Sequence, residues 1–277
     1  MLICTPWFAK ADPLNFFTTA RSGMILQVAL LTLIGLTPVV GFCDDPPPQG
    51  VWTGKGQAGY TSSQGNSESK AANVALDAAI VDGPWQQSVH LAGLYGSSAG
   101  VVAAERWEVA GQTNYDLTSQ LYTFGGLRYQ HDMFSGFEYQ ASVTAGMGYK
   151  FLNSDATKLD VQVGAGYKTF RPEVLVDDPD GSGRVIARDV QHTETGAIGT
   201  VGVNYAQVLT KTTTLTDKLL VESGSDDTLI TNTLAIAVKV STKLALSLGY
   251  NVQDNSSPPA GAKHVDTLET VNLVYAF

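Results

Sequence analysis

Nine charged residues fall on the polar side of alternating segments: Lys55, Arg106, Glu108, Arg128, Glu138, Lys150, Asp160, Lys168 and Lys239. Both signs occur. Facing the inside of a closed sheet, such groups have two uses. They can pair with one another and with amides, which locks the interior. They can instead line a constriction that selects small solutes or ions by charge. Mutual pairing is the simpler expectation and permeation the functional one.

Two further clusters could do chemistry. Asp177-Asp178-Pro179-Asp180-Gly181-Ser182-Gly183 sets three carboxylates around a glycine turn, and calcium takes oxygen ligands from such loops. The run lacks the full EF-hand spacing and its bidentate Glu, so Asp177, Asp178 and Asp180 read first as a solvated turn. His131-Asp132 and His264-Val265-Asp266 each bring an imidazole near a carboxylate, as general-base chemistry requires. A surface hydrolase would also need a nucleophile in reach, and neither cluster carries a nucleophile motif. His90 is expected to face the interior and His192 to start a strand; neither has metal-ligand spacing. Gly65-Asn66 is hairpin-turn chemistry, not a phosphate loop. No enzyme and no cofactor is expected.

The elements that must position these residues are strands. From His264 to Phe277, Val271, Leu273, Tyr275 and Phe277 share one face, and Asp266, Thr270 and Asn272 the other. Strict two-residue alternation means a strand with one apolar and one polar side. Phe137 to Phe151 repeats the pattern, with Phe137, Tyr139, Ala141, Val143, Ala145, Met147, Tyr149 and Phe151 on the apolar face. Leu244–Val252 and Leu159–Tyr167 follow it too. Further strands are expected at 51–62, 69–81, 85–96, 103–115, 120–130, 191–205, 213–222 and 228–240. Aromatics fall near the ends of the apolar faces and small aliphatics between them, as an outward belt with two interfacial girdles requires. Connections that would face outward, such as 64–68, 131–136, 171–189 and 254–263, are mostly longer than those that would face the periplasm, such as 82–84, 117–119 and 241–242. That asymmetry is the one expected of an outer-membrane barrel.

The reading is an all-β fold: a transmembrane, antiparallel, up-and-down β-barrel of about twelve strands, preceded by a cleaved signal peptide. The signal spans residues 1–43 and contains the apolar run Met24–Leu36 after Arg21. A lipoprotein anchor at Cys43 fits poorly, because Phe42 stands where a small residue is needed. Residues 44–50 form an acidic, Pro-rich linker, and residues 51–277 the barrel. Composition agrees. The chain has 277 residues, 44% hydrophobic and 16% charged, with a mean hydropathy of +0.02. That is too polar for a bundle of membrane helices. Both cysteines, Cys4 and Cys43, lie in the leader, so no disulfide framework supports the barrel. Net charge is −9. An acidic chain with no basic cluster argues against nucleic acid as a partner.

Several stretches resemble one family, the YdiY-like salt-induced outer-membrane proteins, which form a domain of unknown function. Gly59-Tyr60-Thr61-Ser62-Ser63-Gln64-Gly65-Asn66-Ser67 is similar to its first hairpin. Ala104-Glu105-Arg106, the run Leu121–Tyr129 (LYTFGGLRY) and Asp132-Met133-Phe134-Ser135-Gly136 are similar to its middle hairpins. Gly249-Tyr250-Asn251-Val252, Ser257-Pro258-Pro259 and Asp266-Thr267 are similar to its last. The resemblance covers most of residues 51–277. It implies a barrel in the outer membrane of a Gram-negative bacterium, with a link to salt or osmotic conditions and no catalytic residues. Expected partners are outer-membrane lipid, small solutes or ions, and, transiently, the barrel-assembly machinery, which would read Tyr275 and Phe277. The 171–189 loop looks like a local elaboration. A surface adhesion role through that loop is the alternative function.

Overall fold

The computed structural model describes residues 49–63, 69–98, 101–133, 135–177, 185–225, 227–259 and 262–277. The expected signal peptide and linker residues 44–48 lie outside them. So do the Gly65-Asn66 turn, Asp178 and Asp180, and the side chain of Asp177.

Among the described residues the chain forms β1 (Trp52–Ser63), β2 (Ser69–Asp82), β3 (Trp85–Ser98), β4 (Val101–Asp116), β5 (Leu121–Asp132), β6 (Phe137–Asn153), β7 (Thr157–Asp177), β8 (Val185–Val190), β9 (Glu194–Val208), β10 (Thr213–Ser223), β11 (Thr228–Lys239), β12 (Leu244–Asn255) and β13 (Val265–Ala276). Every strand except β8 pairs antiparallel with its neighbours in a ring. The ring closes where β1 meets β13, with Lys55 opposite Ala276 and Ala58 opposite Leu273. It is therefore a closed twelve-stranded antiparallel barrel. Closure leaves the ring itself without an edge, which matters in lipid, where an unpaired backbone amide has no water to turn to. Phe277 fastens the seam. Its N–H donates to the Gly54 carbonyl, and its own carbonyl accepts from Gly54 N–H, both at 3.0 Å.

The connections alternate as expected. Turns at one end are short, such as Gly83-Pro84 between β2 and β3, where Gly83 has a φ of 56°. The other end is where β1 ends and β2 begins, where β12 ends and β13 begins, and where β7 extends to pair with β8. Short turns mark the periplasmic end of such barrels and long loops the extracellular end.

The outer face carries the apolar belt. Val74, Leu127, Val163, Leu248 and Val271 are exposed on it. Exposed aromatics flank the belt: Trp52, Trp85, Tyr149 and Tyr275 toward the periplasmic end, Tyr60, Tyr95 and Trp107 toward the extracellular end. A sheet closed on itself, apolar outside and polar inside, is a transmembrane barrel of the Gram-negative outer membrane in contact with its lipid.

Three expectations are corrected. Residues 171–189 are not simply a loop: β7 runs on to Asp177 and pairs with β8 as a hairpin outside the ring. His192 does not start a strand; β9 begins at Glu194. Phe137 does not join the apolar outer face. It is 4% exposed and packs edge-to-face on Phe170 at 5.6 Å. The cause is a β-bulge between Phe137 and Tyr139, just after Gly136, whose φ of 79° suits only glycine without strain. One extra residue reverses the alternation at that point.

Candidate functional site in the barrel interior

Strand alternation sends the inner-face side chains of β4, β5, β6, β7 and β10 toward each other, and there they meet in three tiers. The central tier is built on Arg128 of β5. Its Nε donates to Glu108 Oε1 at 3.0 Å, its Nη1 to Glu222 Oε2 at 2.8 Å, and its Nη2 to Gln130 Oε1 at 2.7 Å. Glu222 lies on β10, so this contact crosses the lumen rather than following the wall. Ser142 on β6 donates to the other Glu222 oxygen at 3.3 Å. The Glu222 side chain is 5% exposed. Charges so far from water persist only when paired, and the guanidinium fork suits two carboxylates at once.

Above it, toward the extracellular end, Arg106 lies 3.5 Å from Glu108 and 3.9 Å from Asp132. Lys168, its side chain 4% exposed, holds Asp227 at 2.9 Å. Its ammonium also lies 5.3 Å from the Phe170 ring centroid and 5.9 Å from that of Phe137. The bulge that turns Phe137 inward thus completes an aromatic seat for a buried cation. Arg188 of β8 reaches Glu173 at 3.2 Å and donates to the Met133 carbonyl, which ties the hairpin to the β5–β6 turn.

The periplasmic tier joins Lys150 to Asp116 at 2.7 Å. Asp160 accepts from the Tyr122 hydroxyl at 2.9 Å and from Asn204 at 3.0 Å. Tyr122 and Phe124 lie flat on the inner wall because the facing strands carry glycine there. A Cβ on Gly148 would stand 2.1 Å from Tyr122 Cζ, and one on Gly164 2.9 Å from Phe124 Cζ. Rings laid over inward glycines fill the sheet while letting it curve.

The other part of the wall is different. Lys55 on β1 lies 3.8 Å from Asp77 on β2, and Asp77 Oδ1 is 2.7 Å from His90 Nδ1 on β3. Lys218 on β10 is near enough for its charge to act on Asp77. These groups stay open to solvent: Lys55 is 48% and His90 38% exposed at the side chain, and Lys218 is exposed. The interior is thus dry around Arg128, Glu222 and Lys168, in the central and extracellular tiers, and wetter along β1–β3.

Of the nine charged residues singled out in the sequence, Arg106, Glu108 and Arg128 share one network. Lys150 and Asp160 share the periplasmic tier, and Lys168 and Lys55 each find a carboxylate. Lys239 stands exposed at the end of β11. Glu138 joins none of them. It sits in the bulge, and its carboxylate pairs with Arg171 at 2.9 Å. Glu222, Asp227, Asp77 and Lys218 escaped the sequence reading, although inward alternation along β10 marks Glu222 and Lys218. His131 and His264 each set Nδ1 against a backbone carbonyl, of Glu138 at 2.5 Å and of Asn255 at 2.9 Å. Neither imidazole is held by the aspartate that the sequence places near it.

Comparison with known proteins adds kinship. A protein of Escherichia coli (strain K12) described as "Uncharacterized protein YdiY" is 26% identical over 240 residues, which cover 84% of this chain and 86% of that one. Among solved structures, one described as "NanC porin structure in rhombohedral crystal form" aligns with a TM-score of 0.45 at 10% identity, over 82% of this chain and 99% of that chain. The KdgM porin aligns with a TM-score of 0.40 at 11% identity, over 82% and 99%. Residues 56–277 match the family described as "Protein of unknown function, DUF481", and the chain belongs to that family.

Proposed function

We propose that this outer-membrane barrel has a passive role: a narrow aqueous passage for small ions or solutes, running along the β1–β3 wall past Lys55, Asp77, His90 and Lys218. The observation that carries this is the unequal filling of the interior. On one side the central charges around Arg128 neutralise one another away from water; on the other, Lys55, His90 and Lys218 remain open to it. A wet passage lined by charge is what selects ions in a pore. An osmotic-stress setting follows from the family resemblance and belongs to the same proposal. Assembly would use the C-terminal strand, with Tyr275 and Phe277 read by the barrel-assembly machinery.

Two experiments address this. In planar bilayers, Lys218→Glu is expected to move the reversal potential under a salt gradient toward cation preference. An unchanged reversal potential in a conducting barrel would remove Lys218 from the path, and a barrel that never conducts would end the permeation proposal. Deleting Phe277 removes its two hydrogen bonds to Gly54 at the seam and the terminal aromatic, so yield of heat-modifiable barrel in the outer membrane should fall several-fold. Normal yield would sink the assembly role.

A second reading, surface interaction, is favoured by the β7–β8 hairpin, which is anchored at its base by Arg188 rather than left loose. Removing residues 174–189 should abolish surface binding under that reading and leave conductance intact.

A further inference from the structure

The lipid-facing wall is not evenly convex. Across β4 to β7, just below the extracellular aromatic row, it carries a concavity of about 560 Å³. Its floor is set back because Gly111 and Ala141 are small. Val109, Leu127, Val143 and Tyr167 rise around them. Register places these side by side: Gly111 opposite Leu127, Leu127 opposite Val143, and Val143 opposite Tyr167. The volume lies within the roughly 300–1,000 Å³ typical of small-molecule sites, and the walls are almost wholly apolar.

Above the groove runs a row of outward aromatic rings. Trp107 stacks on Tyr129 at 5.0 Å and 22°, and Tyr129 on Tyr139 at 5.9 Å and 7°. Tyr129 belongs to both groove and row. Aromatic rows of this kind mark the membrane–water interface. Past the row come His131, 5.9 Å from Trp107, and the Arg171–Glu138 pair. The groove thus starts at headgroup level and descends into the hydrocarbon of the outer leaflet. It is continuous with the lipid-facing belt.

We propose that this groove is a binding site for one acyl chain of outer-leaflet lipopolysaccharide. The occupant follows from position. The groove faces lipid, not the lumen; it opens at the extracellular interface; and that leaflet is built of lipopolysaccharide. An apolar trough that meets the interface at Tyr129 fits a saturated chain whose phosphorylated sugar headgroup rests at the aromatic row, with the imidazole of His131 and the guanidinium of Arg171 beyond it. A concave wall holds such a chain longer than the convex wall elsewhere, because more of the chain touches protein.

The test is native mass spectrometry of the full barrel extracted from outer membranes in mild detergent. Gly111→Leu and Ala141→Phe fill the groove from outside. A Cβ at 111 meets only the Ser88 carbonyl, at 3.8 Å, and the rest of the leucine points into the groove, so the barrel should still fold, which heat-modifiability checks. One tightly held lipopolysaccharide per wild-type barrel, reduced at least ten-fold in both filled variants, is the expected result. Equal retention in wild type and variants would mean ordinary surrounding lipid and overturn the proposal. So would a retained adduct of phospholipid mass, or a wild-type dimer that the filled variants lose.

Discussion

Arg128→Met is expected to destabilise the barrel by about 3–5 kcal/mol, the usual cost of stripping one partner from a buried charge network. The methionine fills much of the same volume but leaves buried Glu222 without its cation and Glu108 with only the longer contact to Arg106, at 3.5 Å. Both carboxylates now take hydrogen bonds from the one guanidinium, at 3.0 and 2.8 Å. Urea unfolding in lipid vesicles, followed by tryptophan fluorescence, reads the loss as a lower midpoint. Arg128→Met combined with Glu222→Gln should recover part of it, because the carboxylate left without a cation disappears. The two changes should therefore be strongly non-additive. A midpoint that Arg128→Met leaves unmoved would mean that water already reaches the central tier and that the interior is open on both sides.

The second large effect comes from backbone rather than charge. Gly166→Ala should cost about 1–3 kcal/mol or more, as overpacking does where the surroundings cannot yield. A Cβ there would stand 1.9 Å from the Val143 carbonyl oxygen and 2.9 Å from Thr144 Cα. Both are backbone atoms of the paired strand β6, so a rotamer change cannot relieve the clash. Gly146→Ala meets the same obstacle from the other side, with the Val163 carbonyl oxygen at 2.2 Å. Gly56→Ala and Gly196→Ala are the controls. Nothing lies within 4 Å of a Cβ at either, and each should change stability by less than about 0.5 kcal/mol. If all four variants behave alike, the close approach of β6 to β7 is not what makes these glycines necessary.

The strands were legible because each element obeys one local rule. Alternation fixes which residues face lipid, turn residues fix where strands stop, and loop lengths fix which end is outside. Legibility failed where a single residue altered the rule. The bulge after Gly136 turns Phe137 inward, and nothing in an apolar–polar count announces an extra residue. Pro172 and the acidic run that follows hid the extension of β7, since proline donates no ladder hydrogen bond. In β10 the alternation is blurred by Asp217, which sits on the opposite face from Lys218 and accepts from Asn232 at 2.7 Å. The charged residues could be placed on a face but not matched with partners. Arg128 and Glu222 stand 94 positions apart, and only ring closure, with β5 and β10 on separate walls, brings them together. Pairing across a lumen depends on strand number and stagger jointly, and no local pattern encodes either.

The central claim is that the interior is sealed on one side and wet on the other. Thiol accessibility tests it most directly, because the only cysteines, Cys4 and Cys43, precede the barrel. Single cysteines at Lys55→Cys, Lys218→Cys, Gln130→Cys and Ser142→Cys, in otherwise cysteine-free barrel refolded into vesicles, would be exposed to a small charged methanethiosulfonate. Rapid labelling at 55 and 218, with labelling at least a hundred-fold slower at 130 and 142, is the predicted result. Equal rates at all four positions would contradict the account: uniformly fast labelling means an open pore, and uniformly slow labelling a barrel with no passage.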